Sequence, residues 1–246
     1  MINKVHALIP VRFGSKRIKG KSLRLLNNKP LIQYCIDSLK NTRSFDKIVI
    51  NSDHEIYKNF AEENKIDFYK RKKNLATSDS MIDDYIFDYL NNNDLEYLAI
   101  INPTSPFMTS ELYDDAFHYF LENNFDTLLS CESIQTHCFL SGKAINFSIN
   151  QKHPRSQDLE PLKALNFAIT IVKKSVFIDN YTKNEYGLYS GDIGFFETSG
   201  DANVDIDYED DFQIAEKLSL IREDNTVFDK KYHSTFQEYL NKDISN

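Results

Sequence analysis

The 246 residues carry 29 Lys or Arg against 37 Asp or Glu, a net charge of −8, with 41% hydrophobic and 27% charged residues. That balance suits one α/β domain with a full core. It excludes general binding to nucleic acid or a membrane surface, which needs spread positive charge, and no stretch reaches the ~18 apolar residues of a membrane span.

An apolar run over residues 4–10 predicts a buried first strand. Directly after it comes the basic stretch Val11-Arg12-Phe13-Gly14-Ser15-Lys16-Arg17-Ile18-Lys19-Gly20-Lys21-Ser22. Eight Lys or Arg precede the first acid, Asp37. A glycine turn with lysines at the carboxyl end of a first strand is where open α/β folds hold phosphates. The spacing is not that of the P-loop, because five residues separate Gly14 from Gly20 where that motif has four. Arg12, Lys16, Lys19 and Lys21 suit a triphosphate. The competing reading is a solvated basic loop, which the charge density disfavours. The stretch does not lie along an amphipathic helix, as a transit peptide would.

Helix and strand signals then alternate. The spacing predicts a helix over 30–40, a strand over 46–51, a helix over 53–64 and a short strand over 66–69. It continues with a helix over 78–91 whose acidic start favours its N-terminal end, and a strand over 96–101. The stop Asn102-Pro103-Thr104-Ser105-Pro106 follows, either a proline turn with a helix cap or a ligand loop past a central strand. A helix over 110–123 and a strand over 126–131 complete the series. This alternation predicts a three-layer, doubly wound, mostly parallel sheet of Rossmann-like type.

The pattern changes over 137–165. Strands are expected at 137–149 and 166–172, with a polar stretch at 151–163 between them. This reads as a small excursion from a single domain spanning 1–246, an arm for pairing with a second subunit. A strand at 193–197, an extended piece at 204–207, a helix at 208–220 and a weaker helix at 228–240 end the chain. Cys35, Cys131 and Cys138 lack metal-like spacing and read as buried free thiols of a reducing cytoplasm.

In the extended piece Val204-Asp205-Ile206-Asp207, alternate residues share a side. Asp205 and Asp207 can therefore meet one cation, as Mg²⁺ sites with nucleotides require, or simply begin the next helix.

Together these pieces resemble the cytidylyltransferases that activate keto-deoxy sugar acids, the CMP-sialic acid synthetases and their relatives for legionaminic and pseudaminic acids. The family opening Ile-Pro-Ala-Arg-x-Gly-Ser-Lys-x-x-x-x-Lys-Asn is similar to Ile9 through Ser22. The likeness continues at Lys29-Pro30-Leu31-Ile32, at Arg71-Lys72-Lys73-Asn74-Leu75-Ala76, at Asn102 to Pro106, and at Asp205-Ile206-Asp207 with Asp211-Phe212. The chain departs from the family at Ser22 (Asn there), Asn102 (Gln), Phe167 (Gly), Val11 and Phe13.

The resemblance implies CMP transfer from CTP to a nonulosonic acid, with pyrophosphate released, in a cytoplasmic homodimer lacking the extra phosphatase domain of some relatives. It implies catalytic roles for Arg12, Lys16 and Lys21. Val11, Gly14, Ser15, Ser22, Arg71, Ala76 and Ser78 would join them around the nucleotide. Asn102, Thr104, Ser105, Arg155, Gln157 and Tyr189 would line the sugar side, and Asp205 and Asp207 would hold Mg²⁺. Two alternatives are transfer to the eight-carbon acid of lipopolysaccharide or by another sugar nucleotidyltransferase, and a catalytically weak binding homologue.

Overall fold

A computed structural model of the chain describes residues 4–14, 17–77 and 79–223. Its centre is a seven-stranded sheet. The first strand, β1 (Val5–Pro10), leads through the basic loop to a tight hairpin of β2 (Leu25–Leu26) and β3 (Lys29–Pro30). Asn27 and Asn28 turn that hairpin at φ 45° and 64°, the left-handed pair that two-residue hairpins favour. There follow α1 (Leu31–Lys40), β4 (Lys47–Ser52), α2 (Glu55–Asn64), β5 (Asp67–Lys70), α3 (Ile82–Asn92), β6 (Tyr97–Ile101), α4 (Ser110–Glu122) and β7 (Thr127–Ile134). The arm holds β8 (Phe139–Leu140) and β9 (Lys143–Ala144). The chain returns through β10 (Leu162–Lys173), α5 (Lys174–Asn184), β11 (Ile193–Thr198) and α6 (Glu209–Glu223).

The sheet order is β11-β7-β10-β6-β1-β4-β5. Strand β1 pairs in parallel with β4 and β6, β4 with β5, and β7 with β11; β10 runs antiparallel between β6 and β7. Both faces are covered, as a mostly parallel sheet requires. Val5, Ala7 and Ile9 point into one core with Ile36 of α1, Ala61 of α2 and Phe117 of α4. Leu8 points the other way, to Ile86 and Leu90 of α3 and Phe177 of α5. The three-layer expectation therefore holds.

Three local differences have physical causes. Helix α3 starts at Ile82 rather than at 78, although Asp83 and Asp84 still sit in its first turn. The strand expected over 137–149 is broken by Ser141 and Gly142 at φ 50° and 80°, leaving only the β8–β9 hairpin. Helix α5 gave no usable signal, because Phe177 is its single fully buried side chain. The helix expected over 228–240 lies outside the described residues. Among the described residues no helix is long and apolar enough to cross a membrane.

Candidate active site

The carboxyl ends of β1, β4, β5 and β6 lie along one edge of the sheet, where ligands bind in doubly wound folds. Three adjoining cavities open there around Pro10, of about 320, 250 and 260 Å³.

A small satellite core sets the middle cavity. Ile18 of the basic loop, Leu26 of the hairpin, Ile206 and Phe212 of α6 bury against one another. Burying each such side chain contributes roughly 1.5–3 kcal/mol, and together they fix the basic loop against the acidic segment. Gly20 at φ 63° caps the one-turn helix Lys21–Leu23, a backbone position that favours glycine. It presents Lys21 to the cavity shared by Arg12, Ser22, Asn102, Thr104, Asp205 and Asp207.

The Lys21 ammonium donates to the Ile206 carbonyl at 2.6 Å and to Asp207 Oδ1 at 3.1 Å. Arg17 pairs with Asp207 as well and lies 5.1 Å from the centre of the Tyr208 ring. Burial opposes ionisation of Asp207, but Lys21 and Arg17 outweigh it and hold this carboxyl below its usual range. Asp205 behaves oppositely. Burial, with the neighbouring Asp207 charge, pushes its carboxyl up, although Thr104 and Asn102 donate to it.

Residues 204–207 belong to no sheet, yet the alternation holds: Ile206 is fully buried while both aspartates line the cavity. The start of α6 is served by Asp211, whose Oδ2 accepts from the Asp207 and Tyr208 amides at 3.0 and 2.7 Å. Asp205 and Asp207 are therefore not needed as its cap. Among the described residues no group of three or more His, Cys, Asp or Glu could hold a metal. The two carboxylates fit Mg²⁺ only as a partial set of hard oxygen donors, completed by phosphate and water. No salt bridge reaches Asp205 among the described residues; Thr104 and Asn102 donate to it, and Lys21 acts on it only through its charge.

The second cavity is built on Arg71, which follows β5. Arg71 is buried; its Nε donates to Asn51 Oδ1 at 2.7 Å and its Nη2 to the Asn51 carbonyl at 3.0 Å. The guanidinium sits 4.0 Å from the centre of the Tyr85 ring. No carboxylate pairs with it among the described residues, and burial lowers its pKa. A buried cation without a counter-ion is costly, so this site suits an anion or a polar base edge. Arg12, Leu75, Thr77 and Ser80 line the same cavity, with Arg12 Nη1 donating to the Thr77 carbonyl at 3.3 Å.

The remaining expected residues divide. Val11 is buried, and its amide donates to the Asn51 carbonyl. The Ser22 hydroxyl lies 2.6 Å from that of Tyr57 in the core. A Cβ on Gly14 would meet nothing within 4 Å. Ala76 ends the turn Lys73–Leu75 beside Leu75 and Thr77. Thr104 bonds Asn102 and Asp205, whereas Ser105 is buried in the turn. Arg155 is exposed and pairs with Asp158; Gln157 and Tyr189 are exposed too. None of these three lines the cavities around Pro10. Ser15, Lys16 and Ser78 lie outside the described residues. Sequence reasoning missed Arg17, Asn51 and Tyr85. Arg17 was visible in the basic run, but Tyr85 looked like any helix residue.

A doubly wound sheet with cationic and acidic walls facing each other at its carboxyl edge defines a nucleotide-handling α/β protein. The comparisons sharpen this: the cytidylyltransferase family model matches residues 6–240, and the chain belongs to that family. An N-acylneuraminate cytidylyltransferase of Streptococcus agalactiae serotype V is 29% identical over 92% of this chain and 57% of its own length. The chain thus spans little more than half of that relative. A pseudaminic acid cytidylyltransferase of Campylobacter jejuni is 29% identical over 62% of this chain and 71% of its own. In fold, the chain resembles a CMP:2-keto-3-deoxy-manno-octonic acid synthetase solved with CTP, at a TM-score of 0.68 and 12% identity, covering 89% of this chain and 99% of that one.

Proposed function

We propose that this protein transfers CMP from CTP to a nonulosonic, sialic-acid-like sugar acid. The observation that carries the reading is the convergence of Arg12, Lys21 and Arg71 with Asp205 and Asp207 around Pro10. Cations on one wall suit the triphosphate, and paired carboxylates suit the ion that accompanies it. The anomeric hydroxyl of the acid attacks the α-phosphorus; that O–P bond forms, the α–β bridge breaks, pyrophosphate leaves and the hydroxyl proton passes to solvent. Arg12 and Lys21 hold the phosphates and meet the charge that develops on the leaving group, the usual main source of catalysis in such transfers. Mg²⁺ held by Asp205 and Asp207 would neutralise phosphate oxygens. Arg71 and the backbone around Ala76 hold the nucleoside, and Asn102 and Thr104 face the sugar.

Pyrophosphate release from CTP with a panel of keto-deoxy acids tests this reading. Turnover with a nine-carbon acid supports it. Turnover only with the eight-carbon acid selects the sister activity, and none with any acid selects a binding homologue.

The same reading includes a cytoplasmic homodimer, in keeping with the free cysteines. Phe139, Leu140, Ile145 and Ile149 expose 50–69% of their surface on the arm, an apolar cluster that a second copy would cover. Arg155 and Gln157 ride on that arm, so their sugar-binding roles require the partner. A monomer mass by light scattering at micromolar concentration would count against this assembly.

A further inference from the structure

Phe167 stands at φ 53°, in the left-handed region that a bulky side chain avoids and glycine adopts freely. It lies in β10 where the register with β7 shifts between Leu165 and Thr170. The surrounding side chains impose this bulge. Asn166 Oδ1 accepts from Ser130 Oγ at 2.7 Å and from the Ala168 amide at 3.2 Å. The Asn166 amide donates to Thr198 Oγ1 at 2.7 Å and to Asn203 Oδ1 at 3.2 Å. The Ile169 amide donates to Ser130 Oγ at 3.0 Å. None of these bonds uses the residue 167 side chain, so glycine would serve the backbone better. Strain of this kind gathers at ligand clamps.

What the strain achieves is placement of the ring. Phe167 lines the third cavity, of about 260 Å³, with Ile82, Tyr85, Ile100, Asn102 and Thr170. Among the described residues no charged one lines it, unlike the phosphate-facing cavity that shares Pro10, Asn102 and Pro103 with it. The cavity therefore suits neither a phosphate nor the carboxylate of a sugar acid. Thr170 is only 3% exposed, and its hydroxyl makes no side-chain hydrogen bond among the described residues. An apolar wall beside the Thr170 hydroxyl, with that of Tyr85 on the same cavity, matches an uncharged group with a polar link and an aliphatic end.

We propose that Phe167 is a specificity-determining residue of the acceptor site, forming the wall that receives an acylamido substituent of the sugar acid. The methyl end packs on the ring and the amide meets Thr170. This rests on the CMP-transfer reading above. A pocket that loses its contact with one small aliphatic group loses about 10–200-fold in discrimination.

The test measures pyrophosphate release from CTP with N-acetylneuraminic acid and with its analogue carrying a hydroxyl in place of the acetamido group. Wild type should prefer the acetamido acid. In Phe167→Gly and in Phe167→Asn, the ratio of the two kcat/KM values should fall about tenfold or more, while the CTP-induced rise in melting temperature persists. Both replacements tolerate the left-handed backbone, so both keep the bulge. A ratio within twofold of wild type in either variant overturns the assignment of Phe167 and leaves the CMP-transfer reading intact. A divergence between the variants attributes the effect to the bulge rather than the ring, and overturns it too. Absence of turnover in wild type with either acid, under conditions where CTP binds, overturns both readings together.

Discussion

The Lys21 ammonium lies 3.1 Å from Asp207 Oδ1, although 186 positions separate the two residues. The basic loop and the acidic segment therefore meet through the fold itself. Arg17 shares the same carboxylate, so Asp207 ties the basic loop to the segment that leads into α6.

Lys21→Ala should lower kcat/KM for CTP by a factor on the order of 100, the typical loss of one electrostatic stabiliser. Stability should fall only modestly, because Arg17 still answers Asp207 while the Ile206 carbonyl loses its Lys21 donor. A cost of about 1 kcal/mol corresponds to a melting shift of about 2–4 °C. Near-normal turnover in a folded variant would remove Lys21 from the phosphates.

Arg71 offers a sharper contrast between binding and stability. Breaking a buried ion pair typically costs about 3–5 kcal/mol, but among the described residues Arg71 has no carboxylate partner to strand. Arg71→Met leaves only Asn51 Oδ1 short of a donor, since the Asn51 carbonyl still accepts from the Val11 amide; that cost of about 1–3 kcal/mol is offset by removal of a poorly compensated charge. The variant should melt close to wild type without ligand and lose most of its stabilisation by CTP. Calorimetric melting with and without CTP decides this; a large loss of stability with CTP stabilisation retained would make Arg71 structural.

The pH dependence of stability should carry a signature of His6. His6 Nδ1 lies 2.7 Å from the Tyr89 hydroxyl. Burial first, then Lys47, lowers the imidazole pKa below 6.5, against weaker opposing pulls from Asp46, Asp67 and Asp94. The folded state thus binds this proton less readily than the unfolded state. Stability is fully present above pH 6.5 and falls as pH drops through 6.5 and below. His6→Gln should flatten that slope between pH 7.5 and 5, measured by urea unfolding. An unchanged slope would place the titrating groups elsewhere.

How much of this was legible in the sequence depended on the range of the interactions. Strand β1 and the basic loop could be read because an apolar run abuts a charge cluster, both local signals. The orientation of Asp205 and Asp207 followed from alternation alone, with Ile206 as the buried residue between them. The burial of Arg71 against Asn51 and Tyr85 could not be read, because three separate elements enclose it. Nor could the inward turn of Ser22 to Tyr57. Helix α5 escaped because a single buried phenylalanine gives no periodicity. The positive φ at Phe167 escaped because the bulge is set by Ser130, Thr198 and Asn203, residues remote in sequence.

The two aspartates provide the most discriminating measurement, because their environments differ while their proposed task is shared. Removing either leaves Mg²⁺ one protein carboxylate, so Asp205→Asn and Asp207→Asn should each lower kcat by a factor on the order of 100 or more. Their effects on stability at neutral pH should have opposite signs. Burial and Asp207 oppose the Asp205 charge, so Asp205→Asn relieves repulsion and should hold or raise the melting temperature. Lys21 and Arg17 favour the Asp207 charge, so Asp207→Asn leaves two cations facing each other and should lower it. If the aspartates merely began α6, both variants would stay active and both would melt lower. The Asp211 contacts to the Asp207 and Tyr208 amides argue against that outcome, since they serve the helix start without Asp205. Measuring kcat against Mg²⁺ concentration alongside melting separates the two cases: active, Mg²⁺-saturable variants that both melt below wild type would refute the metal site.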